Sequence, residues 1–277
     1  MKIAVLSGKG GTGKTFVSVN LAAAEENSCY ADFDTEEPDG HLFFRPENIV
    51  SENVSVKIAD YNKKLCVGCQ KCVKFCAFNA LAYVGNKLMI FENVCHSCGG
   101  CMTVCPEHAL TEKDKIVGVT EEGVSGGITV LTGFLNTGEA SGVPIIKRLN
   151  EKLNKYKFSV IDCPPGSACQ VLESVKNADY CVLVLEPTIF GLDNFLTVLK
   201  LVKLLNKKFG VIINKSLSDN NIAENYCNEN GIDILARFPY DQYLAKINSE
   251  GLIAVREKAK YKDIFSGISK KIKEMFI

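Results

Sequence analysis

The chain has 277 residues, 47% of them apolar, which suits one large or two modest domains with a sizeable core and excludes disordered or collagen-like polypeptides. Its 32 basic and 32 acidic side chains cancel, so bulk electrostatics give no reason to expect a nucleic-acid or membrane partner. Thirteen cysteines would suit a small secreted disulfide scaffold, but this chain is long and its N-terminal MKIAVLSGKGGTGKT is not an export leader. A cytoplasmic location and reduced, metal-ligating thiols are therefore expected. No apolar run approaches the roughly 18 residues of a spanning helix.

Strand-like runs begin at Lys2 (KIAVLS), Cys29 (CYADFD), Phe158 (FSVIDC), Tyr180 (YCVLVLE), Gly210 (GVIIN) and Ile232 (IDILARF). Several are apolar almost throughout, as strands covered on both faces are. Stretches such as Thr15 to Glu26 and Leu192 to Lys208 carry helical spacing between them, so the expected fold is α/β with a mostly parallel sheet.

After the first strand, Gly8-Lys9-Gly10-Gly11-Thr12-Gly13-Lys14-Thr15 matches GxxxxGK[ST] and precedes a helical stretch. Glycines let the backbone curl so that successive N–H groups and the helix N-terminus face phosphate oxygens. Lys14 adds charge, and Thr15 can hold Mg2+. An ATP site is expected here.

Between about residues 61 and 113 the pattern changes: eight of the thirteen cysteines fall there and no long amphipathic helix appears. Cys66, Cys69, Cys72 and Cys76 map onto Cys95, Cys98, Cys101 and Cys105 at a constant offset of 29, and Ala80-Leu81 maps onto Ala109-Leu110, so the segment is an internal duplication. The expected organisation is a core of residues 1–60 and 114–277 interrupted by a module at 61–113. Each copy has the C-x2-C-x2-C-x3-C spacing of bacterial ferredoxins, in which the fourth cysteine serves the other cluster. One 4Fe-4S cluster is then expected on Cys66, Cys69, Cys72 and Cys105, and a second on Cys95, Cys98, Cys101 and Cys76. The competing zinc reading needs paired CxxC knuckles, which the third and fourth cysteines of each run fit poorly. The segment resembles a dicluster ferredoxin, with Ala77 standing where the second copy has Pro106.

The early lysine in KGGTGKT makes the loop similar to that of the deviant Walker ATPases, which include MinD, ParA, Mrp-type carriers and the nitrogenase iron protein. The resemblance implies a homodimer, or a heterodimer with a related ATPase, that sandwiches two ATP molecules, with Lys9 reaching the partner's nucleotide. By the same resemblance Asp34 of Asp32-Phe33-Asp34 is the first switch aspartate, which orients the attacking water. Asp162 of Asp162-Cys163-Pro164-Pro165-Gly166 is the second, acting on Mg2+ through water. Asn214 resembles the adenine-reading asparagine, and Pro239 and Asp241 the loop lining the base.

Cys29, Cys181 and Cys227 read as packed thiols, and Cys163 as a variable switch position. Cys169 lies at the spacing of a cluster ligand in the nitrogenase iron protein, without the second ligand that protein has. His41, His96 and His108 form no set. The C-terminal stripe Ile264, Phe265, Ile268, Ile272, Met275 and Phe276 reads as a helix packed on the sheet. The expected function is an ATP-hydrolysing dimeric switch that gates electron transfer to a redox partner protein. Metallocofactor assembly or carriage and MinD/ParA-like positioning are the alternatives.

Overall fold

A computed structural model describes residues 1–217 and 221–276. Eleven strands occur among them: β1 (Lys2–Ser7), β2 (Cys29–Asp32), β3 (Glu47–Tyr61), β4 (Leu81–Val84), β5 (Lys87–Ile90), β6 (Leu110–Ser125), β7 (Ile128–Leu135), β8 (Ser159–Asp162), β9 (Tyr180–Leu185), β10 (Lys208–Ser216) and β11 (Ile234–Pro239). Nine form one sheet in the order β11-β10-β9-β1-β8-β2-β7-β6-β3, and β4-β5 is a separate hairpin. From β11 to β7 every pairing is parallel; β6 and β3 continue the sheet antiparallel.

The central strands are buried on both faces, which explains their unbroken apolar runs. One apolar layer packs around Val143–Leu153, Cys169–Val175 and Ile189–Leu204. The other forms around Lys14–Ala23 and the C-terminal helix Ala259–Glu274, where Phe16 meets Phe238 and Phe265 edge-on. That helix buries Phe265, Ile268 and Ile272 in the core, while Ile264, Met275 and Phe276 stay partly exposed. No helix among the described residues is long and apolar enough to cross a membrane.

The long β3–β6 ribbon and β7 were not expected from sequence. β3 is exposed along most of its length, so its ENIVSENVSVKIADY lacks the apolar signature of the central strands. β7 is held by register instead: Cys29–Asp32 pairs with Thr129–Thr132, extending the parallel set by one strand.

β6 leaves β7 at Gly118 opposite Leu135, while its pairing with β3 continues to Leu110 opposite Tyr61. The free part of the ribbon therefore projects past the C-terminal end of β7. In a parallel set this is the end at which β1 delivers its phosphate loop, so residues 62–109 are carried at the ligand-binding edge of the sheet. Three strands separate β6 from β1, which places the arm about 19 Å across the sheet at the usual strand spacing.

The duplication has a structural counterpart in residues 62–109. The short helices Lys71–Phe75 and Gly100–Thr103 stand at equivalent positions and touch each other. Phe91 N–H donates to the Ala80 carbonyl and Asn62 N–H to the Ala109 carbonyl, so the start of each repeat closes on the end of the other. A small separate core of Ala59, Leu81, Leu88 and Leu110 lies under them.

Candidate nucleotide site and cysteine module

A cavity of about 340 Å3 opens where β1, β10 and β11 end, lined by Gly10, Gly11, Gly13, Lys14, Thr15 and neighbours. Gly11 and Gly13 have φ of +74° and +97°, the left-handed region that favours glycine. A Cβ on Gly13 would also collide with the Asn214 amide, and one on Gly8 with the backbone of Asn194. The helix that follows has no side-chain cap at Gly13, so its first N–H groups stay available to an anion.

The loop is braced from both sides. Ser7 and Thr12 hydroxyls donate to the Lys9 carbonyl at 2.9 and 3.0 Å, Asn214 Nδ2 donates to the Thr12 carbonyl at 2.8 Å, and Lys215 Nζ to the Gly11 carbonyl at 2.6 Å. Asn214, expected to read the base, thus commits its amide nitrogen to the phosphate loop. Pro239 and Asp241 line the cavity. The Asp241 carboxylate, however, caps the helix Gln242–Ser249 through Tyr243 N–H at 2.8 Å and accepts from Tyr261 Oη at 3.3 Å.

Lys14 sits among carboxylates. Its Nζ lies 2.6 Å from Asp162 Oδ1 and 3.7 Å from Asp34 Oδ2, with only 9% of the Lys14 side chain and none of Asp162 exposed. Burial works against the ammonium, but Asp162, Asp32 and Asp34 outweigh it and raise its pKa. Burial also raises Asp34 to about 6, with Lys14 holding it down and Asp162 pushing it up. Asp32 is fully buried and raised, first by desolvation and then by Asp162.

Three residues important here were not singled out from sequence: Tyr30, Asp39 and the structural role of Asp32. Tyr30 Oη donates toward Asp162 Oδ2 at 3.0 Å and Asp32 Oδ2 at 3.3 Å, while Asp32 also accepts from Asp34 N–H and Gly40 N–H. Asp32 therefore pins both ends of the loop carrying Asp34. Asp39 accepts from the Thr15 hydroxyl, and Asp32, Asp39 and Asp162 each bring one oxygen within 4.8 Å of the others. Four carboxylates against one ammonium leave a negative excess beside Thr15, which suits a hard divalent cation such as Mg2+. Tyr30 had no sequence signal beyond an apolar run, and Asp39 stands in the polar stretch TEEPDG with no motif to mark it.

Lys9 turns to its own chain, pairing with Glu186 at 2.8 Å and lying over the Phe190 ring. Cys29, Cys163, Cys181 and Cys227 are buried, as packed thiols are. Cys169 is exposed at the start of Cys169–Val175. His96 stacks on Phe78 at 3.8 Å.

No disulfide joins any of the thirteen cysteines. In the module they separate into two groups: Cys66, Cys69, Cys72 and Cys105 line a small cavity, and Cys76, Cys95, Cys98 and Cys101 line another of about 160 Å3. Each contains three cysteines of one run and the fourth of the other. Ala80 N–H donates to Cys76 Sγ at 3.4 Å and Ala109 N–H to Cys105 Sγ at 3.3 Å, again related by the duplication. Burial pushes the Cys72 and Cys101 thiols up. A tetrahedral zinc with Zn–S of about 2.3 Å holds its sulfurs about 3.8 Å apart. Among the described residues the Asp32/Asp39/Asp162 group is the only set of three or more potential ligands mutually within 4.8 Å. The cysteine groups are wider than that.

The module is tied to the core through its second repeat. Lys113 pairs with Glu92 at 2.6 Å. Lys115 Nζ donates to Asn93 Oδ1 at 2.8 Å and to Glu139 Oε2 at 2.9 Å, with 13% and 12% of the Lys115 and Glu139 side chains exposed. Glu139 belongs to the loop reaching Gly142, whose backbone packs on Thr35 beside Asp34, and Gln170 bridges onward to Glu36 at 2.8 Å.

The family model for the CobQ/CobB/MinD/ParA nucleotide binding domain matches residues 3–255. The chain belongs to this family. Among related sequences is the uncharacterized protein MJ0578 of Methanocaldococcus jannaschii, 29% identical over 99% of this chain and 97% of that one. MJ0579 of the same organism is 26% identical over 91% and 90%. In fold the chain is similar to the cell division ATPase MinD of Pyrococcus furiosus, with a TM-score of 0.61, 18% identity and coverage of 99% and 98%. It is also similar to MinD of Pyrococcus horikoshii complexed with Mg-ADP, with a TM-score of 0.60, 18% identity and coverage of 99% and 96%. The family is one of nucleotide binding domains.

Proposed function

We propose that this protein is an ATP-hydrolysing, dimeric switch whose arm carries two 4Fe-4S clusters, and that nucleotide state gates one-electron exchange between that arm and a redox partner protein. The observation that carries the reading is the division of the eight cysteines into two interleaved quartets, each around its own cavity, at the same sheet edge as the nucleotide loop.

In this reading the N–H groups of residues 8–15 and the helix N-terminus bind the ATP phosphates, and Lys14 bridges to the terminal ones. Thr15, Asp162 and Asp39 would hold Mg2+, which neutralises phosphate charge. Asp34, ionised above about pH 6, orients the attacking water and accepts hydrogen bonds from it. Lys9 exchanges Glu186 for the nucleotide of the partner subunit, so that the second chain completes the site. The two cysteine quartets would hold the clusters, which supply one-electron chemistry. Asp34 and Thr35 connect through Gly142 and Glu139 to Lys115 and Asn93, two residues before Cys95. A change at the nucleotide can therefore reach the arm through packed contacts.

The test is anaerobic EPR and redox titration with no nucleotide, with ADP and with ATP, on wild type and Lys9→Ala. The reading expects a nucleotide-dependent signal that the variant loses; iron-replete protein indifferent to ATP would overturn the gating. A second reading, a MinD/ParA-like positioning ATPase, draws on the fold similarity to the MinD structures and to a Borrelia burgdorferi plasmid partition protein. It expects ATP-dependent sedimentation with liposomes or DNA.

A further inference from the structure

The two repeats share backbone and cysteines but not charge. Between Asn62 and Leu81 stand Lys63, Lys64, Lys71 and Lys74, with no acidic residue; between Phe91 and Leu110 stand Glu92 and Glu107, with no lysine or arginine. The four lysines are exposed, and none joins an ion pair among the described residues, whereas Glu92 and Asn93 of the second repeat are bound to the ribbon. One end of the module is thus anchored to the core and the other is a free cationic surface.

That free surface also carries exposed apolar side chains, Leu65 at 49% and Val67 at 66%, interleaved with the first quartet, and Cys69 itself reaches solvent. Glu107 is the one acidic residue lining the first cavity. Four exposed lysines in the same repeat as exposed apolar side chains match an acidic protein surface with apolar side chains of its own, since opposite potentials steer encounter and apolar contact fixes the pose. Neither the module nor the balanced chain has the extended basic track that a polyanion would follow.

We infer that the first-repeat end of the module is the docking surface for a small acidic one-electron carrier protein, recognised by Lys63, Lys64, Lys71 and Lys74 together with Leu65 and Val67. The inference rests on the two-cluster reading of the module. One electron passes from the reduced carrier, which is oxidised, to the module, which is reduced; no bond forms and no proton moves.

The test uses the full-length protein purified without oxygen and an acidic bacterial-type ferredoxin as the probe, with binding read by titration calorimetry at low and high salt. Three proteins are compared: wild type, the reversal K63E/K64E/K71E/K74E, and K87E, whose lysine lies outside the first repeat on β5. Iron and sulfide content and circular dichroism establish that each is folded and loaded; a double reversal K71E/K74E replaces the quadruple if that fails to load. Wild-type binding that weakens with salt, falls at least about tenfold in the reversal and changes less than about twofold in K87E is expected. Equal losses in both variants, no loss in the reversal, or no ferredoxin binding by iron-replete wild type would overturn the docking surface alone. Binding of duplex DNA or anionic vesicles in place of the ferredoxin would do the same. Wild type that contains no iron overturns the two-cluster reading and this inference with it.

Discussion

Lys14→Met removes the ammonium that Asp32, Asp34 and Asp162 share, and its effect on stability should depend on pH in a defined direction. The pair it breaks is buried, 2.6 Å long, with 9% and 0% of the two side chains exposed. Removing one partner of such a pair costs about 3–5 kcal/mol when the other charge cannot be resolvated. In Mg2+-free and nucleotide-free buffer at pH 8, the variant should lose about that much. Asp32 and Asp34 are already raised by burial, Asp34 to about 6, and Lys14 opposes the rise in both. Without Lys14 their folded pKa values move higher still, while the unfolded values stay near the usual carboxylate range. The folded variant then binds more protons than the unfolded chain, so its stability rises as pH falls. Each such proton contributes at most about 1.4 kcal/mol per pH unit, and wild type, with Asp34 at about 6, takes up little of it above that pH, so the deficit should shrink between pH 8 and pH 6. Urea unfolding of wild type and variant across this range measures the difference directly. A deficit of equal size at pH 6 and pH 8 would refute the idea that carboxylate crowding, rather than lost packing, sets the penalty.

The acid limb of ATP hydrolysis should fall below about pH 6 with unit slope as Asp34 takes up a proton, and Asp34→Asn should abolish turnover while keeping nucleotide binding. Ala80→Pro and Ala109→Pro each remove an N–H donated to a cysteine sulfur, so each should lower the reduction potential of one cluster in a spectroelectrochemical titration and leave the other unchanged. Lys115→Met cuts the contacts to Asn93 and Glu139; EPR of the variant should keep its iron signal and lose its response to ATP. An undiminished response would mean that the coupling takes another route.

The parts legible in the sequence were those with a strong local physical requirement. The phosphate loop needs glycine where φ is positive, and Gly11 and Gly13 supply it; the central strands need apolar residues on both faces, and KIAVLS and YCVLVLE show them. Each cysteine cavity is lined by the quartet that the two-cluster ferredoxin rule names, three cysteines of one run and the fourth of the other. The ribbon was not legible, since β3 and β6 are exposed for much of their length and pair with each other across the intervening segment. Side-chain networks were hidden as well. Nothing in a strand sequence says that Tyr30 bridges two carboxylates, that Asn214 braces the loop, or that Lys9 rests on Glu186 in its own chain.

The central claim is that the interleaved cysteine quartets carry iron-sulfur clusters on an arm of the nucleotide-binding core. Iron and acid-labile sulfide, counted on protein purified without oxygen and with zinc measured alongside, test it most directly. The account predicts about eight irons and eight sulfides per chain, falling by about half when Cys69→Ala disables one quartet. A colourless protein, or one holding zinc in place of iron, would contradict it.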